Sequence, residues 1–332
     1  MFEVKSFALQ ARQIHQKETV FDGHCDTILE ITNHKRSLAD KACNGHLDIS
    51  RLREGGVDIQ VFAIFVEDNY KPFNSLKRTL QLLDYFLDEI EKNSDAISLV
   101  INYNQIKETN KAGKIAAILA IEGGESLEGD LAVLKVLYRL GVRLLTLTWN
   151  YRNEIADGLY ESRTKGGLTE FGIKVIEEMN RLRMIIDVSH LSETGFWDVI
   201  KFSKAPVIAS HSNCYNVCSH WRNLKDEQIK AIAEKNGVIG ITYVPVFLTK
   251  DDRKATIEDI VRHIDYIVKK VGVDYVGLGS DFDGVENLPL DLEGIDKIPN
   301  ITAELLKQGY KVEDISKILG GNFLRVFKEV VG

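Results

Sequence analysis

Residues 116–149 read AAILAIEGGESLEGDLAVLKVLYRLGVRLLTLTW. The stretch opens on an apolar run that stops at Glu122, and a second run, 143–149, follows after a break. Between them, residues 131–140 repeat their apolar side chains at helical spacing. Continuous apolar runs of this length suit parallel strands covered on both faces.

The same alternation recurs along the chain. Strand-like runs fall at 20–24, 59–66, 116–122, 143–149, 184–190, 206–211, 238–244 and 275–281, which makes eight. Helical patterns separate them, at 75–92, 131–140, 169–181, 194–202, 226–235 and 257–271. Eight strands alternating with helices in 332 residues point to the α/β class and a (β/α)8 TIM barrel. The rival is an open doubly wound sheet. Such a sheet normally carries a glycine-rich phosphate turn after its first strand, and Phe21-Asp22-Gly23-His24 is not one. One domain is expected over residues 1–332, with a polar loop insertion near 151–167 and a C-terminal helical segment near 301–330. A turn-rich stretch, 286–300, precedes that segment, and Gly320-Gly321-Asn322 is expected to interrupt it before a last short helix.

Composition narrows the function. Hydrophobic residues make up 44%, enough for a large core and too many for a disordered chain. With 49 acidic against 42 basic residues and no basic block, neither nucleic acid nor an anionic membrane is the expected partner. Cys25, Cys43, Cys214 and Cys218 are too sparse for a disulfide scaffold. Charges interrupt the first twenty residues, no apolar run reaches membrane-spanning length, and the closing RVFKEVVG holds no lipidation box. A soluble, cytoplasmic protein without a membrane anchor is expected.

The polar residues gather where the strands stop. His24 and Asp26, Glu122, Asp187 and His190, His211, and Asp281 each follow a buried run. Catalytic groups of a barrel stand at this rim. His24 and Asp26 are two apart, which on an extended strand end puts both on one face. Imidazole and carboxylate together suit a divalent metal, zinc above all. His190 and His211 add two nitrogen ligands, and Glu122 has two oxygens with which to bridge. Two metals sharing Glu122 account for these five ligands better than one tetrahedral zinc does. His15, His34 and His263 lie on polar stretches and are read as non-ligands, and His46 as a cap or packing residue. Asp187 is expected to support the ligands from behind, Cys25 to point away, and Glu125 to be solvated. Cys214 and Cys218 have no matching second pair and are not expected to hold zinc.

An ordered set of motifs resembles the membrane (renal-type) dipeptidase family of zinc peptidases over almost the whole chain. The carrying segments are Asp22-Gly23-His24-Cys25-Asp26, the run from Ile121-Glu122-Gly123-Gly124 through Leu134, Tyr138, Gly141-Val142-Arg143 and Thr146, then Asp187-Val188-Ser189-His190, Ser210-His211-Ser212, Arg222-Asn223 and Gly279-Ser280-Asp281-Phe282-Asp283-Gly284. The resemblance implies a binuclear site of two Zn2+ ions. His24 and Asp26 would hold one ion, His190 and His211 the other, and Glu122 would bridge and support catalysis. Asp281 looks like the catalytic acid/base, and Arg222 like the arginine that binds the substrate's C-terminal carboxylate through paired hydrogen bonds. The implied reaction is hydrolysis of dipeptides by a metal-bridging hydroxide. Family members also tend to dimerise, so a homodimer is an expectation.

One departure stands out. Where family members often carry a substrate-binding His after Leu-Thr-Leu-Thr, this chain has Trp149. An indole donates one hydrogen bond but carries no charge. Either another donor stabilises the oxyanion, or this subgroup acts on a different peptide or more slowly. Two other readings stay open. A metal-dependent amidohydrolase or deaminase acting on a cyclic amide or nucleobase usually starts with His-x-His, against His24-x-Asp26 here. A non-catalytic ligand-binding barrel would be expected to have a degraded ligand set.

Overall fold

The structure is a computed structural model that describes residues 2–41, 45–251 and 254–332, so Cys43 lies outside the described residues. Its strands are β1 (Phe21–Asp22), β2 (Ile59–Phe65), β3 (Ile97–Leu99), β4 (Ile115–Glu122), β5 (Val142–Thr146), β6 (Ile185–Asp187), β7 (Val207–Ala209), β8 (Val238–Ile241) and β9 (Val276–Leu278). All their pairings are parallel. β1 pairs with β2 and β9, the neighbours continue from β9 down to β4, and β4 meets β2, which closes a barrel of eight strands. The extra strand is β3. It pairs with residues 115–117 of β4, on the edge where residues 119–122 then pair with β5.

Strand alternation builds two apolar layers. Ile59, Val61 and Ala63 of β2, Ala116, Ile118 and Ala120 of β4, and Leu144, Ile185, Ile208 and Val238 form one cluster inside the barrel. The residues between them, such as Phe62, Ile64, Leu119, Ile121, Leu145 and Ile186, pack outward against the helices. Side chains two apart share a face. Phe65 and Glu122 therefore end the two inner rows, side by side in the register of β2 and β4.

The floor of the barrel is closed by the C-terminal segment. Phe323, Val326, Phe327 and Val330 of the helix Asn322–Val330 belong to the inner cluster. The Phe323 ring stacks on Phe21 at 5.2 Å, where a Cβ on Gly23 or Gly277 would meet it at 2.7 Å. Gly320-Gly321 does not interrupt this segment. A π-helical turn, Lys317–Gly321, joins Val312–Ser316 to Asn322–Val330. Gly320 is there for close packing, since a Cβ would lie 2.4 Å from the Thr19 carbonyl oxygen.

The helices Ser75–Lys92 and Ile257–Val271 have the expected bounds, and Leu131–Arg139, Glu170–Leu182, Glu193–Phe202 and Asp226–Glu234 differ from them by one or two residues. Thr169 caps Glu170–Leu182, its hydroxyl accepting from Gly172 N at 3.0 Å. The helix Phe2–His15 was not anticipated. His15 is buried at its end, between Gly55 O at 2.7 Å and Thr302 Oγ1 at 2.8 Å. His263 is also buried, accepting from Cys214 N at 3.0 Å, while His34 stays exposed beside Glu30.

Phe327→Ala is expected to lower stability by about 3–5 kcal/mol, read from urea unfolding. A loss below about 1 kcal/mol would show that the floor is not part of the core.

Candidate active site

The site forms at the C-terminal ends of the barrel strands. Glu122 is the last residue of β4, and His211 stands two beyond β7. His190 and Asp281 each lie three beyond their strands, β6 and β9, with φ of +64° and +65°. Asp283 shares this left-handed backbone at +65°. Each such non-glycine residue costs on the order of 1 kcal/mol and tends to mark a functional turn. His24 and Asp26 converge, at 3.5 Å. β1 ends at Asp22, but the chain stays paired beyond it, with Cys25 N donating to Val61 O at 3.1 Å, Ala63 N to Cys25 O at 2.9 Å and Asp26 N to Phe282 O at 2.9 Å, so His24 and Asp26 share a face before the helix Thr27–His34 begins. Cys25 points away, into the helix-facing core.

The distances describe one buried cluster. Glu122 Oε1 lies 3.1 Å from His190 Nε2 and 3.3 Å from His211 Nε2. Its Oε2 lies 3.8 Å from His24 Nε2. Among the described residues two overlapping groups could hold metal, His24 with Glu122 and His211, and His24 with Asp26 and Asp281, the ligand atoms of each within 4.8 Å of one another. His190 joins neither group but touches the first, with its Nε2 2.8 Å from His211 Nε2.

The imidazoles are oriented from behind. His190 Nδ1 donates to Asn150 Oδ1 at 2.8 Å. His211 Nδ1 donates to Ser210 Oγ at 2.7 Å, and that hydroxyl donates to Asp187 Oδ2 at 2.5 Å. Asp187 also accepts from Thr146 Oγ1, Ser189 N and Ser210 N, which fixes it as the expected support. With each Nδ1 carrying the proton, both Nε2 lone pairs face the cluster. Burial first, then Arg222 for His190 and His24 for His211, holds both rings well below the ordinary histidine value, so they are neutral.

The remaining charges are unbalanced in the same direction. Burial pushes Glu122 up to about 7. Burial, then the neighbouring Asp26, pushes Asp281 up to about 7 as well. Burial opposes a charge on His24, but Glu122, Asp26 and Asp281 outweigh it and hold the ring up to about 10. Both ring nitrogens of His24 and Oδ1 of Asp26 are buried without a hydrogen-bond partner. Facing lone pairs, crowded carboxyls and orphaned donor atoms fit a bound divalent cation, and nitrogen with oxygen donors suits zinc.

Arg222 lies beside this cluster, donating to Ser212 Oγ at 2.7 Å and His211 O at 2.8 Å, with its Nε unpartnered. It lines a cavity of about 210 Å³ with Leu159 and Ser162 of the loop 151–167. Trp149, 6.2 Å from His190 between ring centres, lines a second cavity of about 260 Å³ with Glu122, Asp281, Val244 and Phe247. Glu125 is not solvated. It is buried, 3.6 Å from Lys71 Nζ, because the segment after β2 covers it. His46 packs on the loop after β9, where its backbone N donates to Asp283 Oδ1 at 2.6 Å and Asp283 N donates to its Nδ1 at 3.0 Å. Cys214 and Cys218 are buried, free thiols outside both candidate metal groups. Sequence reasoning missed Asn150 and Phe65 as parts of the site, and it placed Ser210 at the rim, in Ser210-His211-Ser212, without giving it a role. Ser210, adjacent to a proposed ligand at a strand end, is the one whose position offered a signal.

A parallel barrel with a buried cation-binding rim and a carboxyl poised near neutrality belongs to the metal-dependent hydrolases. A sequence model of the membrane dipeptidase family (peptidase family M19) matches residues 8–331, and the chain belongs to that family. It is 33% identical over 324 residues to the dipeptidase tcpJ of Claviceps purpurea, covering 93% of this chain and 76% of that one. A metallopeptidase of Rhodobacter sphaeroides, solved with a phosphinate mimic of the dipeptide L-Ala-D-Ala, is 28% identical and superposes with a TM-score of 0.88 over 94% of this chain and 99% of its own. The probable dipeptidase PvdM of Pseudomonas aeruginosa shares the fold, with a TM-score of 0.92 at 24% identity over 98% of this chain and 99% of its own. The chain is thus a dipeptide hydrolase of the metallopeptidase class. Among the described residues no helix is long and apolar enough to cross a membrane.

Ser210→Ala removes the lock on the His211 tautomer. It is expected to weaken binding of a divalent metal about 10–100-fold, measured by competition with a chelator. Unchanged affinity would separate Ser210 from the metal site.

Proposed function

We propose that this dipeptidase uses two zinc ions, with His24 and Asp26 on one, His190 and His211 on the other, and Glu122 between them. The observation that carries this reading is the pair of neutral imidazole nitrogens 2.8 Å apart beside a buried carboxylate, an arrangement that calls for a cation. Zinc, when bound, supplies a Lewis acid for the scissile carbonyl and lowers the pKa of water toward neutrality. The chain's own residues do the rest. Asp281, at the edge of the cavity and poised near 7, accepts the proton of the attacking water and passes it to the departing amine. Burial lowers Arg222 to about 10, so it stays charged at neutral pH. Its guanidinium binds the substrate's C-terminal carboxylate, and the two small cavities limit the substrate to a dipeptide. The ligand of the Rhodobacter relative, a mimic of L-Ala-D-Ala, supports a substrate of this size. Trp149 forms part of the substrate wall. Residues 1–332 would act as one unit, since the loop after β5 is tied to His190 O through Leu159 N at 3.0 Å and the C-terminal helix forms the floor.

Exhaustive chelation, with metal loss verified by elemental analysis, is expected to abolish hydrolysis of Ala-Ala, and zinc to restore it. Full activity in verified metal-free protein would contradict the reading. Asp281→Asn is expected to keep its metal and lose about 10²–10⁴-fold in kcat. Near-normal turnover would remove Asp281 from proton transfer.

A further inference from the structure

We infer that the cavity beside Trp149 seats the side chain of the substrate's amino-terminal residue, and that it selects an apolar and above all aromatic one. This rests on the dipeptidase reading and on the role given to Arg222. Among the described residues only His190 lines both cavities. One holds Arg222, Ser212 and Lys225, and the other Asp26, Glu122 and Asp281. With the carboxylate on Arg222 and the scissile bond over Glu122 and His190, the amino-terminal residue has the second cavity to enter.

The wall of that cavity is apolar and held in place. Phe65, the last residue of the inner row of β2, meets Trp149 edge to face at 5.1 Å and 61°. The Lys71 ammonium lies 4.8 Å from the Phe65 ring centre and 5.4 Å from that of Trp149. One cation therefore engages both rings. Lys71 is itself anchored by Asp68 at 3.1 Å and by buried Glu125 at 3.6 Å. This gives Glu125 a place in the site as a positioning residue. Phe247 lines the same cavity. Rings fixed before binding cost little ordering when a third ring packs on them, and edge-to-face or offset contacts add to the area buried.

The carboxyls of this cavity do not make it a site for a basic side chain. Asp26 and Glu122 belong to the proposed metal set, and Asp281 to proton transfer. Asp283 accepts from Thr27 Oγ1 at 2.7 Å and from His46 N at 2.6 Å. An acidic side chain would meet the same carboxyls and is disfavoured.

The test is kcat/KM of the zinc-loaded full chain for Ala-Ala, Phe-Ala, Lys-Ala and Glu-Ala. Phe-Ala is expected to exceed Ala-Ala by about 10–100-fold, with Lys-Ala and Glu-Ala below Phe-Ala. Phe65→Ala and Lys71→Met are each expected to lower the ratio of Phe-Ala to Ala-Ala about tenfold, and Lys71→Arg to restore it. Metal content and circular dichroism check that each variant is folded, and the wild-type panel stands without them. A Phe-Ala to Ala-Ala ratio near one, a preference for Lys-Ala or Glu-Ala, or a ratio that folded variants leave unmoved would overturn the inference. Failure of the loaded enzyme to cleave any dipeptide would instead overturn the dipeptidase reading beneath it.

Discussion

Beneath the mouth of the barrel, the Nε2 atoms of His190 and His211 lie 2.8 Å apart, and Glu122 Oε1 is within 3.3 Å of both. Each ring has given its other nitrogen to a fixed partner, Asn150 or Ser210. Two lone pairs and a carboxylate are thus aimed at one another in a buried site, where such repulsion is strong. A cation resolves the conflict, and the proposed zinc pair is the form of that resolution. The orphaned nitrogens of His24 and the raised carboxyls of Glu122 and Asp281 express the same imbalance a few ångströms away.

Holding that arrangement requires the barrel. β1, β4, β6, β7 and β9 each deliver one part of the cluster to the same rim, which an open sheet would spread along an edge. The inner rows of β2 and β4 are apolar until they end in Phe65 and Glu122. One places an aromatic wall and the other a bridging carboxylate at neighbouring positions. Below, the C-terminal helix fills the floor, so the rim stands on a packed column. The positive φ of His190, Asp281 and Asp283 stores backbone strain in the loops that aim these side chains.

Much of this was legible because periodicity and position speak locally. The run 116–122 and the amphipathic stretches 75–92 and 257–271 declare themselves within their own residues. His24, Glu122, His190 and His211 were identifiable because a polar group directly after a buried run belongs on a rim. β3 escaped notice because it is three residues long and only partly buried. Gly320-Gly321 read as a break because its π-helical turn depends on packing against Thr19, far away in the chain. Glu125 read as solvated for a similar reason, since Lys71 reaches it from another loop. Asn150 gives no local sign of its bond to His190, and neither Phe65 nor Lys71 announces its contact with Trp149. Such roles exist only once distant segments meet.

If Glu122 bridges two zinc ions between the His24–Asp26 pair and the His190–His211 pair, the buried site holds both ions whenever the enzyme cleaves dipeptides. Elemental analysis of zinc per chain, on protein active toward Ala-Ala and freed of loosely bound metal, decides the matter. Two equivalents per chain are expected. An active chain holding one equivalent or none would rule out the binuclear site.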